Sequence, residues 1–400
     1  MRRLDKWLGV PLCWLLSVLS FPFVLTAGAA PSRRILCIEL AEMGCMVLAD
    51  PALKALCAQA EYVAFLTFGA SRDGLELTRR VDREDVFTLR TDNLWSLLTD
   101  CGRFVLWARR RGFDTVVDFE LFTRLSALLA RASGAGRRIG FHGRDDGLYR
   151  GKLINHPITF QAHRHISNNY LALAAAAYPD AATEKDLPPP GIDQVSVSPE
   201  QCEAALRRLQ QQLPEFALAS HQLLLLNPNA GDLLPQRRWP IEHYLALAHQ
   251  ALAAWPNLYV AVMGGPGDRR GTAEFVVRVA NRRCGDIAGL FPIADLPALF
   301  SLSTLLVSND SGPAHFAAIS PLPVIALFGP ESPERYRPLG NVTALSAGLT
   351  CSPCIHAHKQ RRSDCRDNRC MQAIGVDQVF WHVQRILDAM PGAVSSIPNR

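Results

Sequence analysis

The chain has 400 residues, enough for two domains of ordinary size that each bury a full core. Apolar residues make up 48% and charged residues 20%, which excludes long disordered tracts and leaves a globular protein. The net charge of +5 suits anionic substrates or an anionic membrane, but it is too diffuse for a nucleic-acid binder, so no nucleic-acid partner is expected.

Residues 1–32 read as a hydrophobic, membrane-associated segment, in which three basic residues among the first six precede the charge-free run 7–30. Such a run with a basic lead predicts a membrane anchor, a hydrophobic hairpin in the interface, or a cleaved signal peptide ending near Ala27-Gly28-Ala29. Pro11 and Pro22 weaken a straight spanning helix.

Residues 33–187 read as a first domain of alternating strands and helices. Its first strand, Ile35-Leu36-Cys37-Ile38, leads through Ala41-Glu42-Met43-Gly44-Cys45 into a helix over 47–56, a βα unit with glycine at its turn. Further strands are predicted at 62–68, 86–89, 115–119 and 138–141. Asp118 and Glu120 close one of them, and Glu42 lies on the first turn. A carboxylate at such a strand end either takes a proton from a reacting group or caps backbone. The segment 142–165, rich in His, Arg, Tyr and Asn, reads equally as a glycan-acceptor surface or a solvated loop, and a helix follows at 168–178.

The Pro-rich stretch 188–198 separates this domain from a second, 199–375, followed by a closing amphipathic helix and tail at 376–400. A polar amphipathic helix at 199–212 precedes a buried strand at 222–226, which runs into Asn227-Pro228-Asn229-Ala230-Gly231 and then Pro235-Gln236-Arg237-Arg238-Trp239-Pro240. The next strand, 258–263, ends in Gly264-Gly265-Pro266-Gly267-Asp268, where an acid after a Rossmann-like strand suits paired ribose hydroxyls. The stretch 304–337 then reads strand, turn, helix, strand around Asn309-Asp310-Ser311-Gly312-Pro313. Ser311 or Gly312 can cap the helix, Pro313 suits its first turn, and the free N–H groups there, with glycine allowing close approach, form a phosphate site. His315 supports that turn or is an ordinary core histidine.

Asn309-Asp310-Ser311-Gly312-Pro313 with His315, followed by Pro323-Val324-Ile325-Ala326-Leu327-Phe328-Gly329-Pro330, resembles the donor signature of the family 9 glycosyltransferases, the heptosyltransferase-like enzymes of lipopolysaccharide assembly. The resemblance implies an α/β chain of GT-B type, with two Rossmann-like domains facing a central cleft. It also implies transfer of a sugar, heptose or another, from an ADP- or other nucleotide-diphosphate donor to a lipopolysaccharide or other cell-envelope glycan, at the cytoplasmic face of the bacterial inner membrane. No cofactor is expected, and with no Asp-x-Asp pair the transfer is expected to be metal-independent. Donor contacts fall on Asn229, Arg237 (where the family usually has lysine), Asp268, Asp310, Ser311, Gly312 and His315. In such proteins the closing helix returns to the first domain.

One position departs from the pattern. The family usually places its catalytic aspartate after the first-turn glycine, where this chain has Cys45. A thiol with an ordinary pKa of about 8.5 is mostly protonated at neutral pH and a poor base. Either Glu42, Asp118 or Glu120 serves instead, or the chain is a non-catalytic, membrane-attached nucleotide-sugar binder. Export after signal cleavage is the alternative to the cytoplasmic face. Cys351-x2-Cys354-x10-Cys365-x4-Cys370 has spacing near that of a structural metal site, but reads also as disulfides or loop-capping thiols.

Overall fold

The computed structural model describes residues 2–19, 32–40, 43–121, 123–142, 149–178, 190–231, 234–355 and 363–390. They form two compact units, Met1–Gly191 and a second that begins at Ile192 and includes the C-terminal helix.

Six parallel strands build the first unit: β1 (Arg34–Ile38), β2 (Tyr62–Phe68), β3 (Val86–Leu89), β4 (Thr115–Asp118), β5 (Arg137–Phe141) and β6 (His156–Ile158). Their order, β3-β2-β1-β4-β5-β6, reverses between β1 and β4, so the crevice at the strands' carboxyl ends opens there. Ile35 to Ile38 are buried on both faces, as a central parallel strand covered by helices requires. The helix expected over 47–56 is two helices, Met43–Leu48 and Asp50–Cys57, because Pro51 lacks the N–H to continue a ladder and instead occupies the first turn of the second. The Leu94–Arg111 helix begins where the Asn93 side chain accepts from Ser96 N (2.9 Å) and ends at Gly112 in the left-handed region (φ 63°).

The second unit repeats the plan with β7 (Gln222–Asn227), β8 (Leu258–Val262), β9 (Cys284–Asp286), β10 (Leu305–Asn309), β11 (Val324–Phe328) and β12 (Val342–Ser346). The order β9-β8-β7-β10-β11-β12 reverses between β7 and β10. The closing helix Val376–Asp388 packs in this unit. Val379, Val383 and Leu387 on one face enter the same core as β7 and β10, and the Gln222 side chain donates to Leu387 O (3.2 Å).

The anchor, hairpin and signal-peptide readings of residues 1–32 extend past the described residues. Among the described residues no helix is long and apolar enough to cross a membrane, and residues 20–31 lie outside them. The helix Arg2–Leu19, which contains Pro11, is seated on the first unit. The Asp5 carboxylate accepts from Thr123 Oγ1 (2.6 Å), Arg124 N (2.8 Å) and Arg124 Nη1 (3.0 Å). Cys13 is buried with Ala127, Leu153 and Ile154, and Ser17 Oγ accepts from Lys152 N (2.8 Å). Gly151 makes that seat possible, because a Cβ there would lie 2.1 Å from Ser17 Oγ and 2.8 Å from Cys13 O, at a backbone φ of +60°. Gly151→Ala is expected to cost roughly 2 kcal/mol, combining left-handed strain with the clash, and to lower the thermal midpoint by a few degrees. An unchanged midpoint would show that the helix is not held at this seat.

Candidate functional site

At the point where the second sheet reverses order, Asn227 ends β7 and Asn309 ends β10. Asn227 Nδ2 donates to Ser308 Oγ (2.9 Å) and Ser311 Oγ (2.8 Å), and Asn309 Nδ2 donates to Pro228 O (2.9 Å). Asn309 Oδ1 accepts from Trp239 N (2.9 Å), while the Tyr244 hydroxyl donates to Asn227 O (3.0 Å). The loops after β7 and β10 are therefore fastened to each other by buried side-chain bonds, which in a low-dielectric interior fix one geometry.

That fastening decides how the Gly312–Phe316 helix begins. Ser311 is its N-cap by position, yet its hydroxyl is engaged by Asn227 and makes no cap bond to the helix. The expected Ser311 cap is thus not formed, and its oxygen does not compete for the first-turn N–H groups.

Asp310, directly before this turn, is 2% exposed. Arg237 Nη1 lies 3.4 Å from its Oδ2 and His315 Nε2 lies 3.7 Å from its Oδ1. Burial works against the charge, but His315 and Arg237 together outweigh it and hold the carboxyl below its usual value. Arg237 also reaches Ala230 O through Nη2 (3.5 Å), while its Nε has no partner among the described residues. Here an anion would meet a guanidinium with a donor to spare and the start of a helix.

Asn229 and Asp268 meet one strand away. Gly264 separates them, and a Cβ there would come within 2.8 Å of both Asn229 Nδ2 and Asp268 Cβ. Asp268 Oδ2 accepts from Gly265 N (2.8 Å), and Asn229 Nδ2 donates to Met263 O (3.3 Å). Both side chains line an open groove of about 1130 Å³ with Pro228, Trp239 and Phe275.

The first unit places the base candidates differently. Asp118 and Glu120 are fully buried after β4. Asp118 accepts from Ser126 Oγ (2.8 Å) and Glu120 N (3.1 Å), and burial pushes it up to about 7 against the pull of Arg150. Glu120 accepts from Leu40 N (3.2 Å), joining the β1 and β4 ends. Arg150, from the segment expected to bind acceptor or stay solvated, is buried and donates to Phe141 O (2.8 Å) and Glu120 O (2.7 Å). These groups brace the strand ends. Cys45 is buried in the Met43–Leu48 helix, and Glu42 lies outside the described residues.

A model of glycosyltransferase family 9 (heptosyltransferase) matches residues 107–363. The chain belongs to glycosyltransferase family 9. It is 27% identical over 184 residues to lipopolysaccharide heptosyltransferase 2 of Salmonella typhimurium, an alignment covering 45% of this chain and 49% of that protein, so the chain spans about half the length of the curated relatives it matches. Its fold is similar to that of the E. coli ADP-heptose lipopolysaccharide heptosyltransferase II (TM-score 0.69, 20% identity, 88% of this chain and 98% of that one). It is also similar to the E. coli heptosyltransferase WaaC with ADP (TM-score 0.62, 17% identity, 88% and 99%). This family 9 chain has the GT-B type of fold, built from two Rossmann-like domains.

The late cysteines flank residues 356–362, which lie outside the described residues. Cys351 is exposed, Cys370 is buried, all four thiols are free, and among the described residues no group of three or more His, Cys, Asp or Glu side chains could hold a metal ion. The Cys365 thiol donates to Asp367 O (2.8 Å), a loop-capping contact.

Sequence reasoning missed Glu331. It stands two residues beyond Gly329 after β11, and a charged residue just past a Gly-Pro at a strand's carboxyl end was the available signal. Burial first, then the Asp310 charge, push this carboxyl up to about 8, so it is mostly neutral at pH 7. A carboxyl whose folded pKa lies above its ordinary 4.5 favours folding below about pH 4.5 and loses that advantage as pH rises towards 8. Glu331→Gln is expected to gain stability relative to the native chain between pH 5 and 8, by on the order of 3 kcal/mol in denaturant melts. A difference that stays constant across that window contradicts a neutral Glu331.

Proposed function

We propose that this family 9 chain is a metal-independent glycosyltransferase that moves heptose from ADP-heptose to lipopolysaccharide or another lipid-linked envelope glycan. Its place of work is the cytoplasmic face of the bacterial inner membrane, where a nucleotide-sugar donor is made. The observation that carries the reading is the Asp310-Ser311-Gly312 turn with Arg237 beside it at the second sheet's reversal point. The similar proteins, lipopolysaccharide heptosyltransferases and an ADP-heptose enzyme, suggest the donor and acceptor class.

In this reading Arg237 and the first-turn N–H groups at Gly312 hold the diphosphate. Asp310 keeps Arg237 in place, and Asp268 takes the ribose hydroxyls. The acceptor hydroxyl attacks the anomeric carbon as the bond to the β-phosphate oxygen breaks, and ADP departs with the electron pair. Stabilising that growing charge is the main electrostatic task. The hydroxyl's proton goes to Glu42, because Asp118 and Glu120 are buried against their own neighbours and Cys45 is a thiol in a buried position.

Arg237→Ala and Asp310→Ala are each expected to weaken ADP-heptose binding on the order of 30-fold in calorimetric titration, the loss of a charge-assisted contact. Glu42→Gln is expected to lower kcat on the order of 100-fold with the KM for ADP-heptose little changed. A native chain that binds ADP-heptose without transferring it, and gains transfer only as Cys45→Asp, would be a nucleotide-sugar binder instead.

A further inference from the structure

Two helices of the first unit present apolar side chains outward. On the Arg2–Leu19 helix, Trp7 is 78% exposed and Trp14 58%, with Val18 continuing the same stripe at spacings of seven and four. On the Leu94–Arg111 helix, Trp95 is 80% exposed, joined by Leu98 and Leu106. Both pack against one helix, Leu125–Ala132, so the three lie in one layer of the unit. Burial does not explain these residues, since a soluble surface rarely gathers three exposed tryptophans in a single layer.

Charge on the two helices is sorted in the same direction. The N-terminal helix has one acid, Asp5, which is turned inward and bonded to Arg124. The Leu94–Arg111 helix also has one acid, Asp100, which is buried and bonded to Arg90 (2.8 Å) with Arg103 beside it. The Leu125–Ala132 helix has none. The charged residues exposed on the Leu94–Arg111 helix are all basic: Arg103, Arg109 and Arg110.

We infer that this layer is the face by which the protein docks on an anionic lipid bilayer, with the tryptophans at headgroup depth and the basic residues against lipid phosphates. Tryptophan suits that depth because its ring is apolar and its N–H is not, and each nearby Lys or Arg adds attraction to anionic lipid. The N-terminal helix is seated lengthwise on the unit by Asp5, Cys13 and Ser17, which turns its tryptophan stripe to the outside. The inference rests on the proposed lipid-linked acceptor, and it adds which surface meets the lipid.

The test is co-sedimentation of the full chain with vesicles of phosphatidylcholine alone and of phosphatidylcholine mixed with phosphatidylglycerol, alongside ADP-heptose titration of the same preparations. Binding is expected with the mixed vesicles, weakening as salt rises. The pair Trp7→Ser and Trp14→Ser, and separately Trp95→Ser, are each expected to lower partition about ten-fold. Circular dichroism and ADP-heptose affinity should stay unchanged. Partition that survives Trp95→Ser overturns the two-helix face. A native chain that ignores both vesicles and sediments as a dimer until the tryptophans are replaced overturns the lipid assignment in favour of a second copy. Failure of ADP-heptose to bind, by contrast, strikes the proposed donor and leaves the vesicle result standing.

Discussion

A buried carboxylate that must remain charged governs the second unit. Burial of Asp310 works against its charge, and among the described residues His315 and Arg237 hold its carboxyl below the usual value. Removing water from a charge costs several kcal/mol unless partners replace the lost hydration, so the loops that bring those partners have little freedom to move. The constraint spreads outward. Asn227, Ser308, Ser311 and Asn309 fasten the β7 and β10 loops, Trp239 locks the loop after Arg237, and Glu331 next door is pushed toward its neutral form. Two adjacent carboxyls with oppositely shifted pKa values divide the site into one fixed anion and one uncharged neighbour, and this leaves Arg237 with donor capacity for a ligand anion.

The first unit has the same strand order but a different economy of charge. Glu120 joins β1 to β4, Asp118 joins β4 to Ser126, and Arg150 bridges Phe141 to Glu120. Its polar residues at the crevice rim hold backbone in place. Cys45, packed inside the Met43–Leu48 helix, fits that pattern as a small buried hydrophobe. The helices Arg2–Leu19 and Leu94–Arg111 of this unit carry exposed apolar side chains, among them Trp7, Trp14 and Trp95.

Much of the fold was legible in the sequence, because parallel strands buried on both faces write themselves as apolar runs such as 222–226 and 258–263. The runs were too short to signal β6 and β9, and Pro51 split a helix whose apolar pattern was continuous. In the second unit Arg237, Asp310, Ser311, Gly312 and His315 were named from local motifs and come together around one turn, since each closes or follows a strand at the reversal point. What local pattern could not show was pairing at a distance. That the Ser311 hydroxyl turns to Asn227, that Glu331 sits beside Asp310, and that Asp118, Glu120 and Arg150 brace backbone all depend on contacts between residues far apart in the chain. The seat of the N-terminal helix was hidden for a related reason: hydropathy sums along a helix, whereas Asp5 and Cys13 act on one face of it.

Donor diphosphate is proposed to bind at the β7–β10 reversal point. The most direct measurement is a crystal structure of the full chain soaked with ADP. The diphosphate is expected within hydrogen-bond distance of Arg237 and of the first-turn N–H groups at Gly312, with the ribose hydroxyls on Asp268. Density for ADP elsewhere, with Arg237 still turned to Asp310 and Ala230 and no anion beside it, would contradict that claim.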